Sequence, residues 1–291
     1  MAILVDKASR IIVQGMTGRV GAAIAARMVE SGSPVVGGVA PGRGGRKVAG
    51  LPVVDSCYAA VAELDATASF VSVPAAHALD ACLEAIDAGI EVIVAYTEGV
   101  PVADAIQMAS YARARGVVLI GPNSAGCVSP GMANLSDLND AYMRPGRIGI
   151  VSKSGTMTYE VIDALDAVGL GQSTIVCLGG DPVTGSGHTE MLERFEADSA
   201  TEAVVLLGEI GGRSELEAAA FVARMTKPVV AYIAGRHAPA GKRMGHAGAL
   251  LGSPEENAPG KIEALRRAGA VIVDDLTAVG KAVRRCCAVP T

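Results

Sequence analysis

Short, unbroken apolar runs recur along this chain, each separated from the next by glycine and an amphipathic stretch. RIIVQG, PVVGGVA, TASFVSV, EVIVAYT and VVLIG fall before residue 122; RIGIVSK, STIVCLG, EAVVLLGEI, PVVAYIAG and AVIVD follow residue 146. A strand covered on one face alternates apolar and polar side chains, whereas one covered on both faces does not. The runs therefore predict parallel strands with helices on either side of the sheet. In the second half those helices are expected at about 155–168, 187–197, 214–225, 260–269 and 276–286. Residues 122–146, PNSAGCVSPGMANLSDLNDAYMRPG, break the rhythm with Pro, Gly, Asn and Asp, the composition of a connector. Two doubly wound α/β domains are expected, over 1–122 and 147–291, joined by a linker at 123–146.

With 291 residues, half of them hydrophobic and 19% charged, the chain has material for two cores and too little charge for disorder. Its net charge is -5, and lysine and arginine cluster no further than in pairs, so neither nucleic acid nor an anionic membrane surface is an expected partner. Asp6 and Lys7 interrupt the N-terminal apolar stretch, which does not read as a signal peptide, and a cytoplasmic protein is expected. The six cysteines have no metal-like spacing and are expected to be reduced, buried thiols. His77, His188, His237 and His246 include no i, i+4 pair, so no metal site is expected.

RIIVQGMTGRVGAAIAARMVESG combines a strand, a glycine turn and an Ala-rich helix. Gly15, Gly18 and Gly21 allow backbone to approach a ligand whose phosphates meet the helix N-terminus, but such turns also serve only to join strand to helix. A nicotinamide-binding domain carries an acidic residue about 20 residues further on, to hold ribose hydroxyls. Here that segment, VVGGVAPGRGGRK, offers Arg43, which suits a phosphate of NADP or coenzyme A, or is a solvated loop arginine.

In RIGIVSKSGTMTYE, residues Ser154, Gly155 and Thr156 stand at a helix start, where capping is expected and anion binding is a further possibility. KRMGHAGAL places His246 near Gly245 and Gly248, with Lys242 and Arg243 upstream. A neutral imidazole is a competent nucleophile near pH 7 when an acceptor holds its other nitrogen, although most loop histidines do no chemistry. Glu209 ends a strand in LLGEIGG, the edge at which such sheets place their sites, and either orients that imidazole or is simply solvated.

Taken in order, GMTGRVG, GGVAPGRGG, LPVVDS, TEGVP, IGPNSAG, GIVSKSGTMTYE, GGDPVTGS, GEIGG, TKPVVAYIAG and KRMGHAGA resemble the alpha subunits of succinyl-CoA synthetase and related acid-CoA ligases, nearly end to end. The resemblance implies a Rossmann-like CoA-binding domain followed by a flavodoxin-like ligase domain. It implies that Thr17, Gly18, Arg19, Val20, Arg43, Tyr96, Thr97 and Glu98 contact CoA, and that Tyr159 binds substrate. His246 matches the phosphorylated histidine and Glu209 the carboxylate that orients it; Ser154, Gly155 and Thr156 match the helix start that receives the phosphoryl group. The implied substrate is a small dicarboxylic acid, as in the tricarboxylic acid cycle, activated as an acyl phosphate that CoA then attacks. The chain has no GxxxxGK[ST] loop. ATP or GTP with Mg2+ is accordingly expected on a beta subunit of ATP-grasp fold, in an αβ or α2β2 heteromer.

Three departures bear on the substrate. Arg43 stands where the family usually has lysine, and a guanidinium meets phosphate with different geometry. Ser124 and Ala125 replace a Cys-Pro pair, the alanine resembling malate-CoA ligase. ANLSDLNDAYMRPG replaces a family segment with an IGI-type stretch and PGH. A malate-CoA ligase, an NADP-dependent oxidoreductase and a CoA-binding regulatory chain without catalysis are the alternatives.

Overall fold

In the computed structural model, which describes residues 2–239, 244–250 and 252–287, the apolar runs become strands. The first of two compact units takes residues 4–140 and 183–186. It contains β1 (Ile11–Gln14), α1 (Arg19–Glu30), β2 (Val35–Val39), β3 (Lys47–Val48), β4 (Leu51–Val54), α2 (Cys57–Leu64), β5 (Ala68–Val71), α3 (Ala78–Asp87), β6 (Val92–Ala95), α4 (Val102–Arg115), β7 (Val118–Ile120), β8 (Gly126–Ser129) and β9 (Ala133–Ser136). The sheet order is β3-β4-β2-β1-β5-β6-β7, parallel apart from β3, which runs antiparallel to β4. Numbering only the parallel strands gives 3-2-1-4-5-6, the Rossmann order. On one face Ile12, Val71, Ile93 and Leu119 pack with Cys57, Ala60, Cys82, Ile86, Met108 and Ala112 from α2, α3 and α4.

The β3–β4 pair is not visible in the sequence, because KVAGLPVV is short and broken by glycine and proline. Residues 123–146 hold more than the linker expected of them. β8 and β9 pair antiparallel from Gly126–Ser136 to Ser129–Ala133, and the buried Asn134 closes the turn beyond by donating from Nδ2 to Leu138 O at 3.0 Å. Backbone pairing satisfies polar groups wherever a chain is buried, even when its side chains do not show a strand's pattern.

The second unit takes residues 2–3, 141–182 and the described residues from 187 to 287. It contains β10 (Pro145–Ser152), α5 (Gly155–Asp166), β11 (Gln172–Cys177), α6 (His188–Ala197), β12 (Ala203–Glu209), α7 (Ser214–Val222), β13 (Val229–Ala234), α8 (Ala258–Arg267), β14 (Val271–Ile272) and α9 (Val279–Cys287). The order β14-β13-β12-β10-β11 is parallel throughout, which in chain sequence is the flavodoxin-like 2-1-3-4-5. Every residue of β12 is buried, as expected for a central strand covered on both faces. No helix among the described residues is long and apolar enough to cross a membrane.

Cys57, Cys82, Cys127 and Cys177 are buried thiols outside any disulfide, and burial pushes Cys82 up to about 12 and Cys177 to about 11. Cys286 and Cys287 depart from the expected burial: they lie in α9 at the surface, the first partly covered and the second exposed.

Candidate functional site

Both sheets reverse strand order between adjacent strands, and a ligand crevice opens where the carboxyl ends of two such strands part. In the first unit this point lies between β1 and β5. β1 runs into the turn at Gly15, whose φ of +76° suits glycine, and α1 then approaches so closely that a Cβ on Gly21 would lie 2.4 Å from the Gly15 carbonyl oxygen. The GxxGxxG spacing thus brings a helix N-terminus against a strand end. A cleft of about 630 Å³ results, lined by Thr17, Gly18, Arg19 and Val20 from the turn, Arg43 from beyond β2, and Tyr96, Thr97 and Glu98 from beyond β6. All eight residues matched to CoA contacts therefore share one cavity.

Their placement depends on residues the sequence did not single out. The Asp55 carboxylate accepts from the backbone N–H groups of Arg43 (3.0 Å) and Gly44 (2.8 Å), holding the arginine loop at the cleft. Thr97 Oγ1 donates to Val73 O at 2.7 Å. Tyr96 donates its hydroxyl to Asp137 Oδ2 at 3.1 Å, while Arg27 of α1 pairs with the other oxygen of Asp137. Burial, then the nearby Asp137, raises the Tyr96 phenol above its ordinary range, so it remains a donor. Asp137 belongs to the segment in which the sequence departs from the resembled family, so part of that change supports the cleft.

In the second unit the reversal lies between β10 and β12. Beyond β10, Ser154 caps α5 by accepting from Met157 N at 3.2 Å, while Gly155 and Thr156 occupy the first turn. A serine used in this way leaves early backbone N–H groups of the helix available to an anion. At the end of β12, Glu209 Oε2 lies 2.7 Å from His246 Nδ1. Glu209 is 5% exposed, and its Oε1 has no hydrogen-bond partner among the described residues. A carboxylate can only accept, so Nδ1 carries the proton and Nε2 of the neutral ring keeps a free lone pair. The hydrogen bond that His246 donates to Glu209 raises the His246 pKa; partial burial and the charge of Lys153 oppose it, and the charges of Glu209 and Asp181 add to it.

The loop beyond β11 supplies the floor. A Cβ on Gly180 would lie 2.4 Å from the His246 ring, and Gly248 N donates to Gly180 O at 2.8 Å, so the histidine loop lies flat on a glycine. Lys242 and Arg243 lie outside the described residues. Tyr159 stands elsewhere, on α5 in a cleft of about 670 Å³ with Tyr142, Arg144 and Asp163, its ring edge-on to Tyr142 at 6.0 Å. His246 and Glu209 are not among the residues lining that cleft.

Comparison with known proteins gives two family models along the chain: a CoA binding domain over residues 6–99 and a CoA-ligase over residues 151–271. The succinate–CoA ligase [ADP-forming] subunit alpha 2 of Archaeoglobus fulgidus is 51% identical over 270 residues, 93% of this chain and 94% of that protein. The corresponding alpha subunit of Aquifex aeolicus is 46% identical over 288 residues, 98% of this chain and 94% of that protein. Among solved structures, ATP citrate lyase of Methanothrix soehngenii in complex with citrate and coenzyme A superposes with a TM-score of 0.89 at 28% identity. That match covers 98% of this chain and only 50% of the lyase chain, so this chain spans about half the length of that protein. A dinucleotide forming acetyl-coenzyme A synthetase 1 from Ca. Korarchaeum cryptofilum, in complex with phosphate and ADP, shares the fold at 18% identity with a TM-score of 0.75, over 98% of this chain and 62% of that one.

Proposed function

Since the chain belongs to the succinate–CoA ligase alpha-subunit family, a family of ADP-forming CoA ligases, we propose that it is the CoA-binding, phosphohistidine-bearing subunit of an acid–CoA ligase. The observation that carries this reading is the His246–Glu209 pair, with one ring nitrogen held by a buried carboxylate and the other left nucleophilic. His246 Nε2 attacks the γ-phosphorus of ATP or GTP, forming a P–N bond while the nucleoside diphosphate leaves. A carboxylate oxygen of a small dicarboxylic acid then takes the phosphoryl group from nitrogen, giving an acyl phosphate and regenerating the imidazole. Attack by the CoA thiol on the acyl carbon forms the thioester and releases phosphate; the thiol proton passes to solvent or to a base.

Each protein group has a physical role in this sequence. Glu209 fixes the tautomer and offsets the positive charge that grows on the ring as the P–N bond forms. The first turn of α5, at Gly155 and Thr156, offers N–H groups and the positive end of a helix dipole to the phosphoryl oxygens. Arg43 and the turn from Thr17 to Val20 hold the phosphates of CoA, while Tyr96, Thr97 and Glu98 complete that cleft. The CoA reading displaces the NADP one, and the intact pair at His246 favours a catalytic subunit over a regulatory chain. Tyr159 is placed as a substrate contact by resemblance, and malate remains an alternative acid to succinate.

The nucleotide, with Mg2+, belongs on a beta subunit of ATP-grasp fold. Incubation with γ-labelled ATP tests the scheme: the chain with its beta partner takes up acid-labile label, the chain alone takes up none, and His246→Asn abolishes both label and thioester synthesis. Retained thioester synthesis in His246→Asn would overturn it.

A further inference from the structure

Behind the His246–Glu209 pair lies a second ion pair with no access to solvent. Lys261 of α8 and Glu215 of α7 are both 0% exposed, their Nζ and Oε2 2.5 Å apart. The lysine has three N–H donors, and its other two short contacts are to Glu209 O at 2.7 Å and Gly211 O at 2.6 Å. The second oxygen of Glu215 accepts from Glu209 N at 3.0 Å. One ion pair thus takes both backbone polar groups of the residue that holds the histidine.

The strand pairing explains why something must. β10 pairs with β12 up to Ser152–Leu207, and Lys153 N still donates to Leu207 O at 3.1 Å, after which β10 turns away toward α5. Residues two apart on a strand face the same neighbour, so the Glu209 N–H and C=O turn to the edge that β10 has left. Buried backbone groups require partners, yet neutral side chains could supply them. Burying two full charges carries a desolvation cost that a neutral pair avoids, and removing either partner leaves the other stranded. What the pair provides in return is a stiff, doubly anchored strand end.

Resting on the phosphohistidine reading, we propose that Glu215 and Lys261 are positioning residues for His246: they fix the backbone of Glu209, aim its carboxylate at Nδ1, and so keep Nε2 unprotonated and presented. Among the described residues, the charges that act on the two pairs are these. Glu209, Lys153 and Asp181 act on His246; His188, Lys261 and Lys153 act on Glu215; Glu215, Lys153 and Glu209 act on Lys261.

The test is the double variant Glu215→Met, Lys261→Met, which removes both charges together and leaves neither stranded, examined as full-length chain with its beta subunit. Expected are a folded protein by near-ultraviolet circular dichroism, CoA binding within about twofold of wild type, and His246 phosphorylation slowed by about 10- to 100-fold. The acid limb of its pH profile should move to lower pH as the Glu209 hydrogen bond loosens. Nitrogen-15 NMR of the imidazole should show the Nδ1–H tautomer giving way to a mixture, a change that a loss of stability alone does not produce.

A folded double variant with wild-type rate, pH profile and tautomer would overturn the proposal. If the double variant does not fold, Glu215→Gln, which keeps shape and a hydrogen bond, should show the same tautomer and pH shifts at smaller size, and none in either would overturn it equally. Should wild-type protein take no label at His246, the phosphohistidine reading fails, while the tautomer measurement still decides whether the buried pair positions the ring.

Discussion

At the residue scale the second site depends on atoms in fixed contact, so small substitutions have distinct consequences. Gly180→Ala places a methyl group where the His246 ring now lies. We expect a stability loss of about 1–3 kcal/mol from the overpacking and a fall in His246 labelling of at least about tenfold, read by thermal melting and phosphate incorporation. Glu209→Gln retains an acceptor but removes the charge and weakens the hydrogen bond that together raise His246. The free ring then protonates at lower pH. In the proposed scheme phosphorylation requires the neutral ring, so its rate should fall with pH through the His246 pKa, and in Glu209→Gln that fall should begin at lower pH, with a lower plateau. A pH–rate profile with an unmoved acid limb would contradict this. The stabilising ion pair has the opposite sense: it is present below the unfolded pKa of histidine and lost as pH rises through the raised folded value.

At the scale of elements, most strands and helices follow from apolar runs and punctuation, and the exceptions are places where side chains carry no period. The hairpin of β8 and β9 reads GCVS–PGM–ANLS, where buried Asn134, Ser129 and Ser136 hide the strand pattern. Its exit supplies Asp137, which holds Tyr96 at the cleft proposed for CoA. Asp137→Ala should therefore weaken CoA binding by about two- to tenfold, the worth of one hydrogen bond, without affecting His246 labelling in the presence of the beta subunit. Isothermal titration with CoA measures the first effect and γ-labelled ATP the second. The start of α5 was legible from Ser154, whose side chain takes the cap; Ser154→Ala should lower stability by about 1 kcal/mol, seen as a reduced melting temperature.

At the scale of the whole molecule, the second unit carries a pH sensitivity in its core. His188 is fully buried: Ser214 Oγ lies 2.8 Å from Nδ1 and Leu207 O lies 3.3 Å from Nε2. Because a carbonyl only accepts, Nε2 carries the proton, and the neutral ring takes the serine hydrogen at Nδ1. Burial pushes its pKa down to about 4. The unfolded chain binds that proton first, near the ordinary histidine value, so stability should fall as pH drops from about 6.5 toward about 4, by about 3 kcal/mol in all. Urea titrations at a series of pH values should show this slope, and His188→Gln should flatten it. The two doubly wound sheets, the glycine turn at the first cleft and the capped start of α5 are legible along the chain, because each follows from neighbours within a few residues: burial on both faces, a turn that suits glycine, a serine at a helix start. The sequence also singled out Glu209 and His246, chiefly through an ordered series of motifs. Which atoms meet follows from the folded arrangement alone. Glu209 and His246 are 37 residues apart, and Lys261 reaches back 52 to grip Glu209. Such contacts arise where β10 leaves β12 at the strand reversal, and no local pattern along the chain records which distant side chains fill that gap.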